Sequence, residues 1–167
     1  LKSDELTGSI LLNLDTEDWH ELYVGCAGAG DWQMHRTFGT APPPANSEQW
    51  QLSLKGLAGG HSGIQIHQQL GNAIKLLGQC LAAVDGAQLA HFDAGLAHNV
   101  IPREGVLSFS CPAGGGARLE AGLQELQDQW LGYLPAADAA LELALQPTGV
   151  EQVLSTADTR AVLDLIA

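Results

Sequence analysis

Positively charged residues are scarce in this sequence. Of its 167 residues, 7 are Lys or Arg and 19 are Asp or Glu, which gives a formal net charge of −12. A protein that binds nucleic acid or an anionic membrane surface needs cationic side chains to neutralise phosphates. The composition therefore predicts that neither nucleic acid nor a membrane is a partner of this chain.

Long apolar runs and a leader sequence are also missing. No run approaches the roughly 18 apolar residues of a membrane span. The N-terminus shows no basic segment followed by an apolar one and a small-residue cleavage site, as a secretory signal has. We therefore expect a cytoplasmic protein. Hydrophobic residues make up 46% of the chain, which suffices for one domain with a real core, or for one domain plus a piece of another.

Cysteine is rare and shows no pairing pattern. Cys26, Cys80 and Cys111 lie far apart, and no C-x-x-C sequence occurs. This distribution argues against a disulfide framework and favours reduced thiols that pack as small hydrophobic groups.

The apolar residues that are present follow strand and helix periods after residue 47. Trp50, Leu52 and Leu54 alternate with polar residues, as in a half-buried strand, and steps of three and four from about Ile66 to Val84 predict an amphipathic helix. The same patterns predict strands over 87–95, 104–111 and 139–146, a helix with Leu119, Leu123, Leu126, Trp130 and Leu134 on one face, and a last helix over 150–167. Two helices can cover one face of a four-stranded antiparallel sheet, so we expect an α+β fold, a ferredoxin-like βαββαβ sandwich.

The residues before this sandwich predict a separate region. SILLNLD (9–15) has the composition of a buried strand, and residues 20–38 read as two more extended segments. The prolines of APPPANS (41–47) predict a stiff connector between the two regions.

Asp15 is the first candidate for chemistry. It directly follows the apolar strand 9–15, at the end where open sheets collect ligands and metal ions. A carboxylate in that place can be a hard oxygen ligand of a divalent ion. A strand-ending cap or Asx turn also explains this residue, and spacing alone favours it, so both interpretations stay open.

His61 lies in a glycine-rich bend, with Gly59 and Gly60 before it and Gly63 after it. These glycines let the backbone turn where a side chain would clash. Ser62 is a candidate N-cap, which would put His61 at the positive end of the following helix. A neutral imidazole there can donate a hydrogen bond to a developing oxyanion. A surface-turn histidine would show the same pattern.

Asn99 and Arg103 are candidates for substrate binding. Both belong to the connection HNVIPRE between two predicted strands. An asparagine amide can bind a carboxylate or a carbonyl, and it can equally satisfy backbone groups. Arg103 can pair with a substrate carboxylate. Its neighbour Glu104 equally suggests that Arg103 is an ordinary surface charge.

Five segments, taken together and in order, resemble the M20 metallopeptidases, in particular their aminoacyl-histidine (Xaa-His) dipeptidase branch. They are LLNLDTED (11–18), ELYVGCAGAGD (21–31), LKGLAGGHSGIQIH (54–67), GNAIKLL (71–77) and HNVIPREG (98–105). The resemblance covers residues 1–112. Its specificity comes from the combination, since each segment alone is weak.

The resemblance implies a di-zinc catalytic domain that is divided in sequence around a lid, or dimerisation, domain of the sandwich type. It implies that residues 1–40 are remnant strands of the catalytic domain, 47–147 the lid domain and 148–167 a helix that leads to the rest. By the same resemblance Asp15 is a zinc ligand, His61 stabilises the tetrahedral intermediate, in many members across a dimer, and Asn99 binds substrate.

The sequence also departs from the family pattern. No His-x-Asp occurs, and the family's bridging aspartate, glutamate pair and final histidine ligand have no match. A di-zinc centre needs several ligands and a base that deprotonates the bridging water. We therefore expect this chain alone to be inactive, to bind no zinc, and to be the lid part of a larger polypeptide.

The sequence thus predicts the lid of a zinc-dependent cytosolic dipeptidase that hydrolyses Xaa-His dipeptides. The expected partners are the dipeptide, the remainder of the catalytic domain and a second copy of the chain. Three alternatives stay open: another M20 activity (tripeptidase, carboxypeptidase or deacylase), a non-catalytic module that binds an amino acid, and a purely structural dimerisation domain.

Overall fold

The computed structural model describes residues 7–10, 12, 19–25, 28, 30 and 32–167. The chain divides into two compact units, Leu1–Arg36 and Thr37–Ala167. In the first unit the described residues form no helix or strand, and the side chains of Ile10 and Leu12 are 81% and 80% exposed. Most of the strand predicted over 9–15, including Asp15, lies outside the described residues.

The second unit carries the regular structure. In chain order its elements are β1 (Thr40–Ala41), β2 (Ser47–Lys55), β3 (Gly60–His61), α1 (Ala73–Ala82), β4 (Gln88–Ala94), β5 (Val100–Ile101), β6 (Gly105–Pro112), α2 (Gly115–Leu131), β7 (Glu142–Pro147), β8 (Val153–Leu154) and α3 (Thr156–Ile166), with 3-10 turns at Ile66–Gln68 and Ala136–Asp138. Among the residues that the structure describes, no helix has the length and apolar character needed to cross a bilayer.

The main sheet has four antiparallel strands in the order β4, β6, β2, β7. In the middle of the sheet, Leu52 of β2 pairs with Leu107 of β6 on one side and with Leu145 of β7 on the other. Leu52 and Leu54 are 0% and 1% exposed, because their face of β2 packs into the core with α1 and α2. The predicted ferredoxin-like βαββαβ sandwich is therefore confirmed.

Helix α1 is shorter than the sequence predicts. The apolar period suggests a start near Ile66, whereas the helix begins at Ala73 with Asn72 as N-cap. The Asn72 Oδ1 accepts hydrogen bonds from the backbone N–H groups of Ile74 and Lys75, at 3.0 and 3.4 Å. Gln69, before this start, has a φ of 54°, a left-handed conformation that no helix interior contains. The predicted N-cap role of Ser62 is therefore wrong.

Helix α2 confirms its predicted apolar face. Leu119, Leu123 and Trp130 are buried in the core, and Leu126 and Leu134 pack against it half-buried. The helix ends at Leu131, close to the predicted end before Pro135.

The first turn of α2 is held by a carboxylate from β2. Glu48 accepts hydrogen bonds from the backbone N–H groups of Gly114 (2.8 Å) and Gly116 (3.2 Å), and from the indole N–H of Trp50 (3.2 Å). These donors, Gly114 first, hold the pKa of Glu48 below its usual value. They also satisfy N–H groups that the start of a helix leaves without partners.

Helix α3 begins later than the predicted 150–167 because Val153 and Leu154 pair with β1 instead. The helix packs against α1, where Gly78 leaves room for the side chain of Ile166. Its Thr159 Oγ1 accepts the backbone N–H of Leu89 at 2.9 Å. A side chain of α3 thus satisfies a backbone donor of the edge strand β4 that the sheet leaves unpaired.

Candidate functional site

A short two-stranded ribbon brings together two of the residues predicted from the sequence. Strands β3 and β5 pair in antiparallel fashion, with Gly60 opposite Ile101 and His61 opposite Val100. At the end of the ribbon, the backbone N–H of Ser62 donates to the carbonyl of Asn99 at 2.9 Å. His61 of β3 and Asn99, the residue directly before β5, therefore lie close together although they are distant in sequence.

The glycines before His61 are required by close contacts. Gly59 has a φ of +65°, and a Cβ on it would lie 3.0 Å from the Cβ of Arg103. A Cβ on Gly60 would lie 2.9 Å from the Oε1 of Gln65. Neither position accepts a larger residue without movement of its neighbour. Close packing against Arg103 and Gln65 therefore requires glycine at these two positions of the bend.

The imidazole of His61 is exposed and its orientation is fixed by the turn that follows. Its Nδ1 accepts hydrogen bonds from the backbone N–H groups of Gly63 and Ile64, at 3.1 and 3.2 Å. Only a ring nitrogen without hydrogen can accept, so the hydrogen of the neutral ring lies on Nε2. In the described part of the chain no group bonds to Nε2. The turn therefore presents an N–H donor to solvent.

Gln65 closes this turn from both sides. Its side-chain Oε1 accepts the backbone N–H of His61 at 2.8 Å, and its own backbone N–H donates to the His61 carbonyl at 2.9 Å. The sequence prediction placed His61 at the positive end of a helix, but α1 begins only at Ala73. The ring is oriented by hydrogen bonds within the turn rather than by a helix dipole. No sequence signal singled out Gln65.

Asn99 and Arg103 flank the same ribbon. Asn99 is exposed directly before β5, and Arg103 is exposed shortly after it. The stem of Arg103 packs over Gly59, since both its Cβ and Cδ lie within 3.4 Å of where a Cβ on that glycine would be. The structure thus places both substrate-binding candidates beside the ribbon that carries His61.

Two cavities lie beside β5. The larger, of about 660 Å³, separates the ribbon from the start of α1 and is lined by residues that include Ser62, Asn72, Lys75, His98, Val100 and Pro102. The smaller, of about 380 Å³, is lined by Lys55, Asp93, Arg103 and Glu104 among others. Both have the volume of a small-molecule site.

The described residues do not fit a metal centre. Within the ranges 7–10, 12, 19–25, 28, 30 and 32–167, no group of three or more His, Cys, Asp or Glu side chains could hold a metal ion. The predicted ligand Asp15 lies outside these ranges. What this part of the chain can supply is a fixed hydrogen-bond donor, an amide and a guanidinium.

One buried residue near the site was missed by sequence reasoning. Asp138 is 0% exposed and accepts hydrogen bonds from the backbone N–H groups of Ala58 and Gly71. These two residues flank the segment that contains His61. An acidic residue in the apolar stretch PAADAAL was the only available signal, because its partners lie far away in sequence.

Comparison with known proteins gives consistent matches. Residues 52–134 match the M20 peptidase dimerisation domain. The cytosol non-specific dipeptidase of Escherichia coli (strain K12) is 41% identical over 117 residues, which are 68% of this chain and 24% of that protein. The crystal structure of aminoacylhistidine dipeptidase from Vibrio alginolyticus superposes with a TM-score of 0.70 at 30% identity, covering 77% of this chain and 27% of that one.

The chain therefore spans about a quarter of the length of each of these relatives. The matched region contains β3, α1, β5 and the ribbon with His61 and Asn99. Sequence and fold agree on the same assignment: this chain belongs to the M20 peptidase family and contains its dimerisation domain.

Proposed function

We propose that this chain is the lid domain of a cytoplasmic dipeptidase whose complete form hydrolyses Xaa-His dipeptides. Both compared proteins are named as dipeptidases, one a cytosol non-specific dipeptidase and the other an aminoacylhistidine dipeptidase. These names support a dipeptide as the substrate class and the cytoplasm as the location. The description of the matched family as a dimerisation domain supports a second copy of the chain as a partner.

The observation that carries the proposal is the fixed, exposed Nε2–H donor of His61. When a peptide bond is hydrolysed, its carbonyl oxygen becomes negatively charged in the tetrahedral intermediate. A donor that is already oriented stabilises this charge without reorganising during the reaction. Because Gly63 and Ile64 hold Nδ1, the ring offers its hydrogen on the side that faces away from its own turn.

Asn99 and Arg103 would bind the rest of the substrate. Asn99 lies beside the ribbon, where its backbone carbonyl accepts the N–H of Ser62, and its side-chain amide can donate to a substrate carbonyl or carboxylate. The Arg103 guanidinium can bind the terminal carboxylate of a dipeptide with two parallel hydrogen bonds. Together these groups define a lid that positions a short peptide and recognises its developing charge.

The remaining chemistry belongs to the rest of the enzyme. M20 peptidases are generally metal-dependent, and we propose zinc as the metal, with Asp15 as one of its ligands and the others on the remainder of the catalytic domain. The lid contributes binding and oxyanion stabilisation only.

The test is the substitution His61→Ala in the full-length enzyme. We expect kcat to fall by about 10²-fold or more, the usual scale for loss of one oxyanion donor. The matched control is His67→Ala, because His67 is also exposed and lies on the same segment. A kcat within roughly twofold of the unsubstituted enzyme for His61→Ala would refute the role that we assign to this donor.

The substrate proposal has its own test. A panel of dipeptides with and without C-terminal histidine, together with tripeptides and acylated amino acids, is assayed with the full-length enzyme. Preference for Xaa-His substrates supports the proposal. Equal rates on all dipeptides would contradict the preference for histidine but not the dipeptidase activity. Hydrolysis of only tripeptides or acylated amino acids would contradict the dipeptidase assignment.

A further inference from the structure

A single buried carboxylate closes the base of the segment that carries His61. Asp138 Oδ1 accepts the backbone N–H of Ala58 at 2.8 Å, and its Oδ2 accepts the backbone N–H of Gly71 at 2.7 Å. Ala58 directly precedes, and Gly71 directly follows, the residues 59–70, which contain β3 and the histidine turn. One side chain therefore binds both ends of this segment, hereafter the histidine loop.

Asp138 itself is held by its own backbone, independently of the histidine loop. It ends the 3-10 turn after α2, where its N–H donates to the carbonyl of Pro135 at 2.9 Å. Its carbonyl accepts the N–H of Leu141 at 3.0 Å, and Leu141 is buried in the core. The carboxylate is thus a fixed point to which the ends of the loop are attached.

Two glycines permit this close approach. A Cβ on Gly71 would lie 2.7 Å from the Cδ2 of Leu57 and 3.3 Å from the Oδ2 of Asp138. Gly56 has a φ of +88°, and a Cβ on it would collide with the carbonyl oxygen of Ala140. The backbone on both sides of the loop therefore packs directly against residues 138–140, which a larger residue at either glycine would prevent.

Burial makes these two hydrogen bonds consequential. Asp138 is 0% exposed, and neither salt bridge in the described part of the chain involves it. A carboxyl group removed from water is unfavourable unless its oxygens receive hydrogen bonds. Burial of Asp138 therefore favours the arrangement in which the N–H groups of Ala58 and Gly71 both donate to its carboxylate. It disfavours states in which either end of the loop moves away.

We propose that Asp138 is a positioning residue that fixes the histidine loop at both ends and so holds the His61 ring where it can meet a substrate. The catalytic part of this inference rests on the proposed function, whereas its structural part does not. Displacement of a positioned group by about 1 Å can lower a rate by about 10²-fold. A loop released at its base would allow such displacement without losing any group that touches the substrate.

The experiment compares Asp138→Asn with a matched control. The substituted amide keeps one oxygen acceptor, so one of the two backbone N–H groups loses its partner. Thr159→Val likewise removes one acceptor from one buried backbone N–H, that of Leu89, but at the edge strand β4. Both variants are made in this chain for amide hydrogen exchange and in the full-length enzyme for kinetics.

In Asp138→Asn we expect exchange at Ala58, Gly71 and residues 60–64 to accelerate by about tenfold or more relative to the core amides of β2 and β6. No such relative change is expected in Thr159→Val, whose general loss of stability affects both regions alike. In the full-length enzyme, kcat falls about tenfold or more while KM changes by less than about threefold, since the loss is in transition-state geometry. Unchanged exchange in the loop, or an unchanged kcat beside accelerated exchange, would overturn the proposal.

Two further variants keep the outcome decisive. In His61→Ala/Asp138→Asn, kcat should equal that of His61→Ala alone, because Asp138 acts through the ring. Losses that multiply would show that Asp138 acts elsewhere. If Asp138→Asn does not fold, Gly71→Ala, which strains the Oδ2 contact, tests the same loop exchange. If His61→Ala keeps full activity, the proposed function is wrong. The hydrogen-exchange data then still test whether Asp138 fixes the histidine loop.

Discussion

The hydroxyl of Thr159 offers a sharp test of how α3 is attached to the sandwich. Thr159 is 2% exposed, and its Oγ1 is the acceptor for the Leu89 N–H at 2.9 Å. The substitution Thr159→Val keeps the shape of the side chain and replaces this hydroxyl with a methyl group. The backbone N–H of Leu89 then loses its acceptor in a place that water does not reach.

An unsatisfied buried donor costs about 1–3 kcal/mol, and the helix propensities of Thr and Val are similar. We therefore expect the free energy of unfolding to fall by about 1–3 kcal/mol. For a chain of this size each kcal/mol lowers Tm by about 2–4 °C. Urea unfolding followed by circular dichroism, with an unchanged m value, measures the free energy directly.

The control is Thr156→Val, which makes the same chemical change at an exposed position at the start of α3. Exposed substitutions of this kind usually stay within about 0.5 kcal/mol. If Thr159→Val is no more destabilised than Thr156→Val, the Leu89 hydrogen bond does not hold α3 on the edge strand and the reasoning fails.

Two further predictions concern titratable groups. The N–H donors of Gly114 and Gly116 lower the pKa of Glu48 in the folded state. The stabilisation that the Glu48 carboxylate provides is therefore complete above the unfolded pKa of about 4.3. It is lost as the pH falls through the lower pKa of the folded state. Glu48→Gln should thus lower the free energy of unfolding at pH 7 and have a smaller effect near pH 3; an equal effect at both would contradict the assignment. Burial raises the pKa of Cys80 to about 12, so iodoacetamide should leave it unlabelled in the folded chain, as read by peptide mass mapping, and label it after unfolding. Labelling at the rate of a free thiol before unfolding would show that the site is open.

The candidate site was predictable in part. The glycines around His61 predicted a bend with an exposed ring, and HNVIPRE predicted a connection between strands. Both predictions were possible because they depend only on neighbouring residues in the sequence. The sequence did not indicate that β3 and β5 pair and bring Asn99 beside His61. Whether two strands of two residues each pair depends on where the flanking segments place them. A two-residue sequence contains too little pattern to predict this pairing. The roles of His61, Asn99 and Arg103 remain predictions.

Some predictions failed for a related reason. The apolar period continues back to about Ile66, but α1 starts at Ala73 because Asp138 holds Gly71 and Gln69 is left-handed. The last helix starts at Thr156 rather than at 150 because Val153 and Leu154 pair with β1. In each case a long-range contact outweighed a favourable local pattern.

The sequence by itself determined the order of the four strands of the main sheet and of the three helices, and which faces of β2 and α2 are buried. Leu52 and Leu54 on β2, and the apolar face of α2, lie where periods of two and 3.6 residues place them, since burial of one face follows directly from spacing. Only the tertiary structure decided where α1 and α3 begin, that β3 and β5 pair, and that Asp138 closes the base of the histidine loop. Those features depend on contacts between residues far apart in the chain, and such contacts exist only after the sheet has formed.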